Sequence, residues 1–328
     1  MKRLFKKCIN KIRNEFLSGW PFVEKLDLEA FENRLKYQVE DSQILVGKML
    51  AVYNSSKKPV ELKSLEEVEF KVFSQFGEDG IIQFLISHME IPNPVFVEFG
   101  VENYTESNTR FLMNNNNWSG LVMDGSESHI AHIRSQPYFW RQNLIAKRCY
   151  ITKDNINQLI SEEGIDGDVG LFSVDIGGND YWVWDALQVI SPRIVICEWN
   201  SVYGPDAIVT IPYDENFSSK TRYDYHYSGL YSGASLGALK HLAKKKGYSF
   251  VGSNLAANNA FFVRKDVAAP FEHLIKNAGY IESQFRDSKD STGNYNYLSD
   301  KDRLKEILEV QVFDVLHEKM VTLKNAVS

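Results

Sequence analysis

Val95-Phe96-Val97-Glu98-Phe99-Gly100-Val101-Glu102-Asn103 is the stretch whose reading decides the fold. Its apolar start is short and flanked by turn residues, which predicts a buried strand over 95–99. The strand runs into Glu98 and then Gly100, a residue that lets the backbone come close to a ligand. Some twenty residues on, Gly120-Leu121-Val122-Met123 predicts a second strand that ends in Asp124. Two such strand ends are how an open α/β sheet builds a nucleoside site, with the second acidic residue taking a ribose diol. The Gly-x-Gly-x-x-Gly fingerprint is absent after the first strand, which counts against a dinucleotide oxidoreductase and against a pyrophosphate in the ligand.

Outward from this centre, helices and strands alternate. Ile81, Ile82, Leu85, Ile86 and Met89 make one stripe of a helix over 78–89, which Ile91-Pro92-Asn93-Pro94 ends. Helices are expected at 108–114, 127–135, 151–163 (capped near Thr152 or Asp154), 181–190 and 235–247. Strands are expected at 144–146, 169–175 and 194–198, with 248–252 and 259–263 as a closing antiparallel pair. That alternation calls for a mostly parallel sheet. Residues 201–232 break the pattern and are rich in Tyr, Asp, Ser and Gly, as lids and binding segments are. The expected division is a helical extension at 1–68, a Rossmann-like domain at 69–266 and a largely helical extension at 267–328.

The whole chain sets bounds. With 328 residues, 44% of them hydrophobic, it can hold one large domain with extensions. A net charge of -6 argues against a nucleic-acid binder. Cys8, Cys149 and Cys197 are too few and too far apart for a disulfide framework or a zinc site, which suits a cytoplasmic protein. No apolar run reaches the roughly 18–20 residues of a membrane span. Lys2, Arg3, Lys6, Lys7, Lys11 and Arg13 interleave with Leu4, Phe5, Cys8, Ile9, Ile12 and Phe16 at helical spacing. Residues 1–17 therefore read as a basic amphipathic helix, for the inner face of a membrane, for the chain's own domain or for a second copy in a homo-oligomer.

Several motifs together resemble the class I S-adenosylmethionine-dependent methyltransferases, and more closely the FkbM-type group found among bacterial polysaccharide genes. They are Ser74-Gln75-Phe76-Gly77-Glu78-Asp79-Gly80, Phe96-Val97-Glu98-Phe99-Gly100-Val101 with Ser107-Asn108-Thr109, Trp118-Ser119-Gly120-Leu121-Val122-Met123-Asp124, and Ser173-Val174-Asp175-Ile176-Gly177-Gly178-Asn179-Asp180-Tyr181-Trp182. The resemblance covers roughly residues 70–265. It implies S-adenosylmethionine as cofactor and a hydroxyl of a sugar or glycan as methyl acceptor.

On that resemblance Glu98 and Gly100 match the first cofactor motif, and Ser74 and Gln75 lie near the cofactor's amino-acid end. Asp124 is the ribose partner, with Ser126 close enough to help. Each has a plainer reading: a carboxylate holding a turn, or a cap on the next helix. The crevice for the transferring methyl falls at Asp175, with Asp180 after it. Asp175, Glu198 and Asn200 offer converging oxygens for a hard cation such as Mg²⁺, or form a polar crevice without one. Gly177 stands where the group tends to carry an acidic residue, which either weakens the case for a metal or moves that role to Asp180. His226 is a candidate general base, or one more surface histidine. Tyr213 and Asp214 are candidate lid or acceptor contacts. A non-catalytic or repurposed member that binds a nucleotide sugar or acts in polysaccharide assembly is the alternative from a different class.

Overall fold

The computed structural model describes residues 25–327. The basic helix read at 1–17 lies outside them. The chain divides into two compact units, Met1–Val46 and Gly47–Ser328. The first is represented by most of a long helix, α1 (Lys25–Ser55), whose last turns belong to the second. Among the described residues no helix is long and apolar enough to cross a membrane.

The second unit follows in chain order as α2 (Glu78–Ser87), β1 (Val95–Phe99), α3 (Arg110–Asn116), β2 (Ser119–Asp124), α4 (Glu127–Ser135), α5 (Pro137–Arg141) and β3 (Leu144–Arg148). Then come α6 (Ile156–Ser161), β4 (Gly167–Val174), α7 (Asp180–Ala186), β5 (Ile190–Glu198), β6 (Val209–Thr210) and α8 (Arg222–Tyr225). The chain closes with α9 (Leu236–Lys246), β7 (Tyr248–Ser253), β8 (Asn259–Arg264), α10 (Glu272–Asn277), α11 (Asp300–Glu306), β9 (Gln311–Asp314), β10 (Lys319–Thr322) and α12 (Leu323–Ala326).

Seven strands form one sheet in the order β3-β2-β1-β4-β5-β8-β7. β1 to β5 are parallel, while β8 is antiparallel to both β5 and β7. This is the Rossmann-like class I methyltransferase fold. Strand order reverses between β1 and β4, and ligands of open α/β sheets bind beyond the carboxyl ends of the strands at such a point.

Successive strand residues point to opposite faces, and both faces are covered. Val97, Leu121, Phe172, Val195 and Phe262 pack under α6, α7 and α9 through Ile160, Trp184 and Leu239. Phe96, Val122, Leu171, Ile196 and Phe261 pack on the other side against Ile82 and Phe84 of α2, Ile130 of α4 and Leu274 of α10. Leu62, Leu65 and Val68 belong to this second layer, so residues 47–68 are part of the sheet unit rather than of a separate extension.

The carboxyl-terminal region corrects an expectation. β9 and β10 form a hairpin, and β9 also pairs with β6 inside the segment read as a loop. Val312 and Leu323 share a third core with Val209, Ile211, Phe217 and Tyr231. Strands of four residues show too little alternation to be read, and the apolar positions 312, 313, 316 and 320 mimic a helical stripe.

Candidate active site

The sheet's carboxyl edge carries the residues in question in one row. Phe99 lies opposite Val174 on β4, Val174 opposite Cys197 on β5, and Glu198 opposite Asn259 on β8. Gly100, Asp175, Glu198 and Asn259 therefore gather where the strands end.

Gly100 has φ +74, and a Cβ there would sit 1.5 Å from the Asp175 carbonyl oxygen. The close approach seen there is between β1 and β4. Glu98 is likewise taken by the protein. Its Oε1 accepts from the Asn108 N–H at 2.8 Å, and its Oε2 from the Thr109 N–H at 3.1 Å and from the Thr109 hydroxyl. Burial pushes its carboxyl up to about 7 against the pull of those donors. Glu98 fixes the 107–109 turn beneath the crevice.

Asp124 holds the rim. Its Oδ2 accepts from the Glu102 N–H at 3.0 Å, and its Oδ1 from the Ser126 N–H at 2.7 Å and pairs with His129 Nδ1 at 3.0 Å. Glu102 takes φ +47, the left-handed conformation that turns its N–H toward this carboxylate. Oδ2 keeps a lone pair beyond the Glu102 contact, enough for one ribose hydroxyl. Ser126 caps α4, with its Oγ accepting from the His129 N–H at 3.4 Å.

The 74–80 motif is structural at its first residue. Ser74 is buried and exchanges hydrogen bonds with Asp79, whose Oδ2 also accepts from the Val72, Phe73 and Ser74 N–H groups. Gln75 is exposed, and its carbonyl accepts from Lys71 Nζ at 2.6 Å. Glu78 is buried and receives Asn254 Nδ2 at 2.7 Å and Asn259 Nδ2 at 2.9 Å.

Asp175, Asp180 and Glu198 converge, with one carboxylate oxygen from each within 4.8 Å of the others. The peptide N–H groups of Ile176 and Gly178 donate to Asp180 at 2.7 and 2.8 Å, leaving each oxygen a free lone pair. Burial pushes Asp180 up to about 7, with the Asp175 charge adding to it. Burial also raises Asp175, which the hydrogen bond from Glu198 opposes. Glu198 is held well above the ordinary range by burial, then by Asp175 and Asp180. Carboxylates this close disfavour full ionisation of the pair, so each raises the other's tendency to hold a proton.

Asn200 does not join them. Its Oδ1 accepts from the Val202 N–H at 3.0 Å and its Nδ2 donates to the Leu230 and Ser232 carbonyls at 2.9 Å each. It caps the 201–203 turn, and Asp180 takes the third position in the cluster. His226 is also absent from the group. Its Nδ1 pairs with Ser228 Oγ at 2.7 Å and its ring stacks on Tyr227. Burial lowers its pKa, favouring the neutral ring.

Residues 211–232 close over the loop between Asp175 and Asp180. Asn179 Nδ2 donates to the Asp214 carbonyl at 2.8 Å, and Trp182 Nε1 to that of Ile211 at 2.9 Å. Gly177, at φ +75, has the Ser219 nitrogen 2.8 Å from its would-be Cβ, which leaves no room for an acidic side chain there. Arg222, salt-bridged to Asp287 at 3.0 Å, pulls on the Glu198 carboxyl from this segment. A cavity of about 390 Å³ opens beside it, lined by residues 211–217, Tyr225 and Tyr231. Asn259 and Arg222 escape sequence reading, and Thr109 is legible there only as a motif residue with no role given to its hydroxyl. The one signal for Asn259 is its place opening the strand that pairs with 194–198.

No family model matches the sequence, and no curated protein matches it. Among solved structures the chain is similar to the CurJ carbon methyltransferase, at 10% identity over 80% of each chain with a TM-score of 0.36. It is also similar to geranyl diphosphate C-methyltransferase from Streptomyces coelicolor A3(2), at 12% identity over 62% of this chain and 80% of that one, TM-score 0.32. That protein was solved with Mg²⁺, geranyl diphosphate and S-adenosyl-L-homocysteine. A candidate sarcosine dimethylglycine methyltransferase from Galdieria sulphuraria shares 16% identity over 48% of this chain, TM-score 0.32. The chain spans little more than half of that protein, 56% of its length. At such TM-scores the fold rests on the strand order described above.

Proposed function

We propose that the chain is an S-adenosylmethionine-dependent O-methyltransferase that methylates a sugar hydroxyl of a surface glycan or its precursor. The observation that carries this is the cluster of Asp180, which is buried, with half-buried Asp175 and Glu198 at the switch of strand order, one strand from the Asp124 rim. A crevice edged by carboxylates favours a cationic ligand, and the sulfonium cofactor is one.

In this reading Asp124 accepts a ribose hydroxyl, and the 100–104 turn lies along the cofactor. The acceptor hydroxyl enters from the cavity under residues 211–232. Its oxygen forms a bond to the methyl carbon as the carbon–sulfur bond breaks and its electron pair stays on sulfur. The hydroxyl proton passes to a carboxylate of the cluster. Asp180, at about 7, suits that exchange near neutral pH. Positioning supplies most of the remaining rate.

The three carboxylates fit a hard divalent cation, since one oxygen of each lies within 4.8 Å of the others and all three are oxygen donors. Bound there, it would lower the pKa of the acceptor hydroxyl. Tyr213, Phe217, Tyr225 and Tyr231 with Asp214 give the cavity rings for a sugar face and a carboxylate for its hydroxyls.

A second reading has its own support. Gly100 is followed by Val101, Glu102 and Asn103 rather than by further glycines, and Gly177 leaves no room for an acidic side chain, as suits a non-catalytic member that binds a nucleotide sugar. Transfer of labelled methyl from S-adenosylmethionine to a panel of hexosides and nucleotide sugars, with and without chelator, separates the two. Labelled product supports the methyltransferase. Stabilisation by nucleotide sugars alone, without transfer, supports the other.

A further inference from the structure

We propose that Asn259 supplies a fourth oxygen to the cation held by Asp175, Asp180 and Glu198, and that Glu78 aims it. The inference rests on the metal-assisted reading above and goes beyond it by naming a ligand from β8. Asn259 lies directly opposite Glu198 in the antiparallel β5–β8 ladder, so the two side chains leave the same face of the sheet.

Asn259 is 4% exposed. Its Nδ2 donates to Glu78 Oε1 at 2.9 Å. Glu78 also receives Asn254 Nδ2 on that oxygen and the Phe76 N–H on the other, so it acts here as an acceptor throughout. An amide facing such a carboxylate must present its nitrogen, and its oxygen must then face away. That oxygen, Asn259 Oδ1, is buried and has no hydrogen-bond partner.

The neighbouring amide does not share this condition. Asn254 Oδ1 accepts from the N–H groups of Asn258 and Asn259 at 3.2 and 3.0 Å. Buried polar atoms are rarely left unpaired, and an exception beside three carboxylates points to a cation. Carboxylate and amide oxygens together are a hard donor set suited to Mg²⁺ or Mn²⁺ rather than to a thiophilic metal.

Mn²⁺ titration of the full chain, read by electron paramagnetic resonance, tests this without an activity assay. Wild type binds one ion, Asp175→Asn abolishes binding, and Asn259→Ala weakens it about tenfold. Glu78→Gln lets the amide of Asn259 flip its nitrogen toward the ion, and weakens Mn²⁺ binding similarly. Glu78→Gln also serves if Asn259→Ala does not fold. Wild-type Mn²⁺ affinity in these variants, with Asp175→Asn still deficient, overturns the role of Asn259 and leaves the cation site standing. A wild-type chain that takes up no Mn²⁺ overturns both, while S-adenosylhomocysteine binding reports separately on the cofactor.

Discussion

Gly100 and Asp175 occupy each other's space: a single carbon added to Gly100 would meet the Asp175 carbonyl oxygen at 1.5 Å. The contact ties the end of β1 to the end of β4.

Gly100→Ala must therefore push two paired strands apart as well as strain a left-handed residue. A loss above about 4 kcal/mol is expected, in the range where substitutions mark a specific defect. Gly164, at φ +71 with nothing within 4 Å, is the control. Gly164→Ala carries only the left-handed strain, about 1–2 kcal/mol. Urea denaturation of both variants checks the difference, and equal losses would remove the steric account.

Thr109→Val keeps the shape and deletes the hydroxyl that donates to Glu98 and pairs with Tyr104. The expected cost is about 1–3 kcal/mol. The lost donor favours the charged carboxylate, so the cost is larger at pH 8 than at pH 5.5. Denaturation at the two pH values reads it.

Stability should fall as the solution becomes alkaline. Burial raises Glu69, Glu98 and Asp180 to about 7 and Asp79 to about 6. A folded-state pKa above the unfolded one gives stability that is complete below the unfolded value and lost as pH rises through the folded value. The window is therefore roughly pH 4.5 to 7. Calorimetry should show a higher Tm at pH 5.5 than at pH 8.5. Mg²⁺ should raise the Tm more at pH 8.5, where fewer protons compete with it for Asp175 and Glu198.

How far the sequence reveals this molecule depends on where each partner lies. The strand at 95–99 and the helix at 127–135 match the structure residue for residue, since apolar run, cap and stop are all local. β6 and β9 were illegible because each finds its partner about a hundred residues away. The site shows the same division. The carboxylates at 175, 180 and 198 follow from strand ends, whereas nothing local shows that Asn200 caps a turn or that Asn259 lies opposite Glu198. Glu98 and Ser74 were legible both as motif residues and as turn-holding or capping ones, and burial and bonding, which the sequence does not show, decide for the structural role.

Tyr225→Phe should affect the acceptor and spare the cofactor. The Tyr225 hydroxyl donates to Asp214 Oδ2 at 2.6 Å across the mouth of the aromatic cavity. Removing it frees the Asp214 carboxylate to move. KM for the sugar acceptor should rise about three- to tenfold, with kcat and S-adenosylhomocysteine affinity nearly unchanged. An equal effect on the cofactor would place the cavity elsewhere in the reaction.

The central claim is that the edge from Gly100 to Asp124 holds a sulfonium nucleoside, and isothermal calorimetry with S-adenosylhomocysteine tests it most directly. The account predicts one site in the wild-type chain and an affinity at least about tenfold weaker in Asp124→Ala, or about 1.4 kcal/mol. A wild-type chain that binds no S-adenosylhomocysteine, or a folded Asp124→Ala variant that binds it unchanged, would contradict the account.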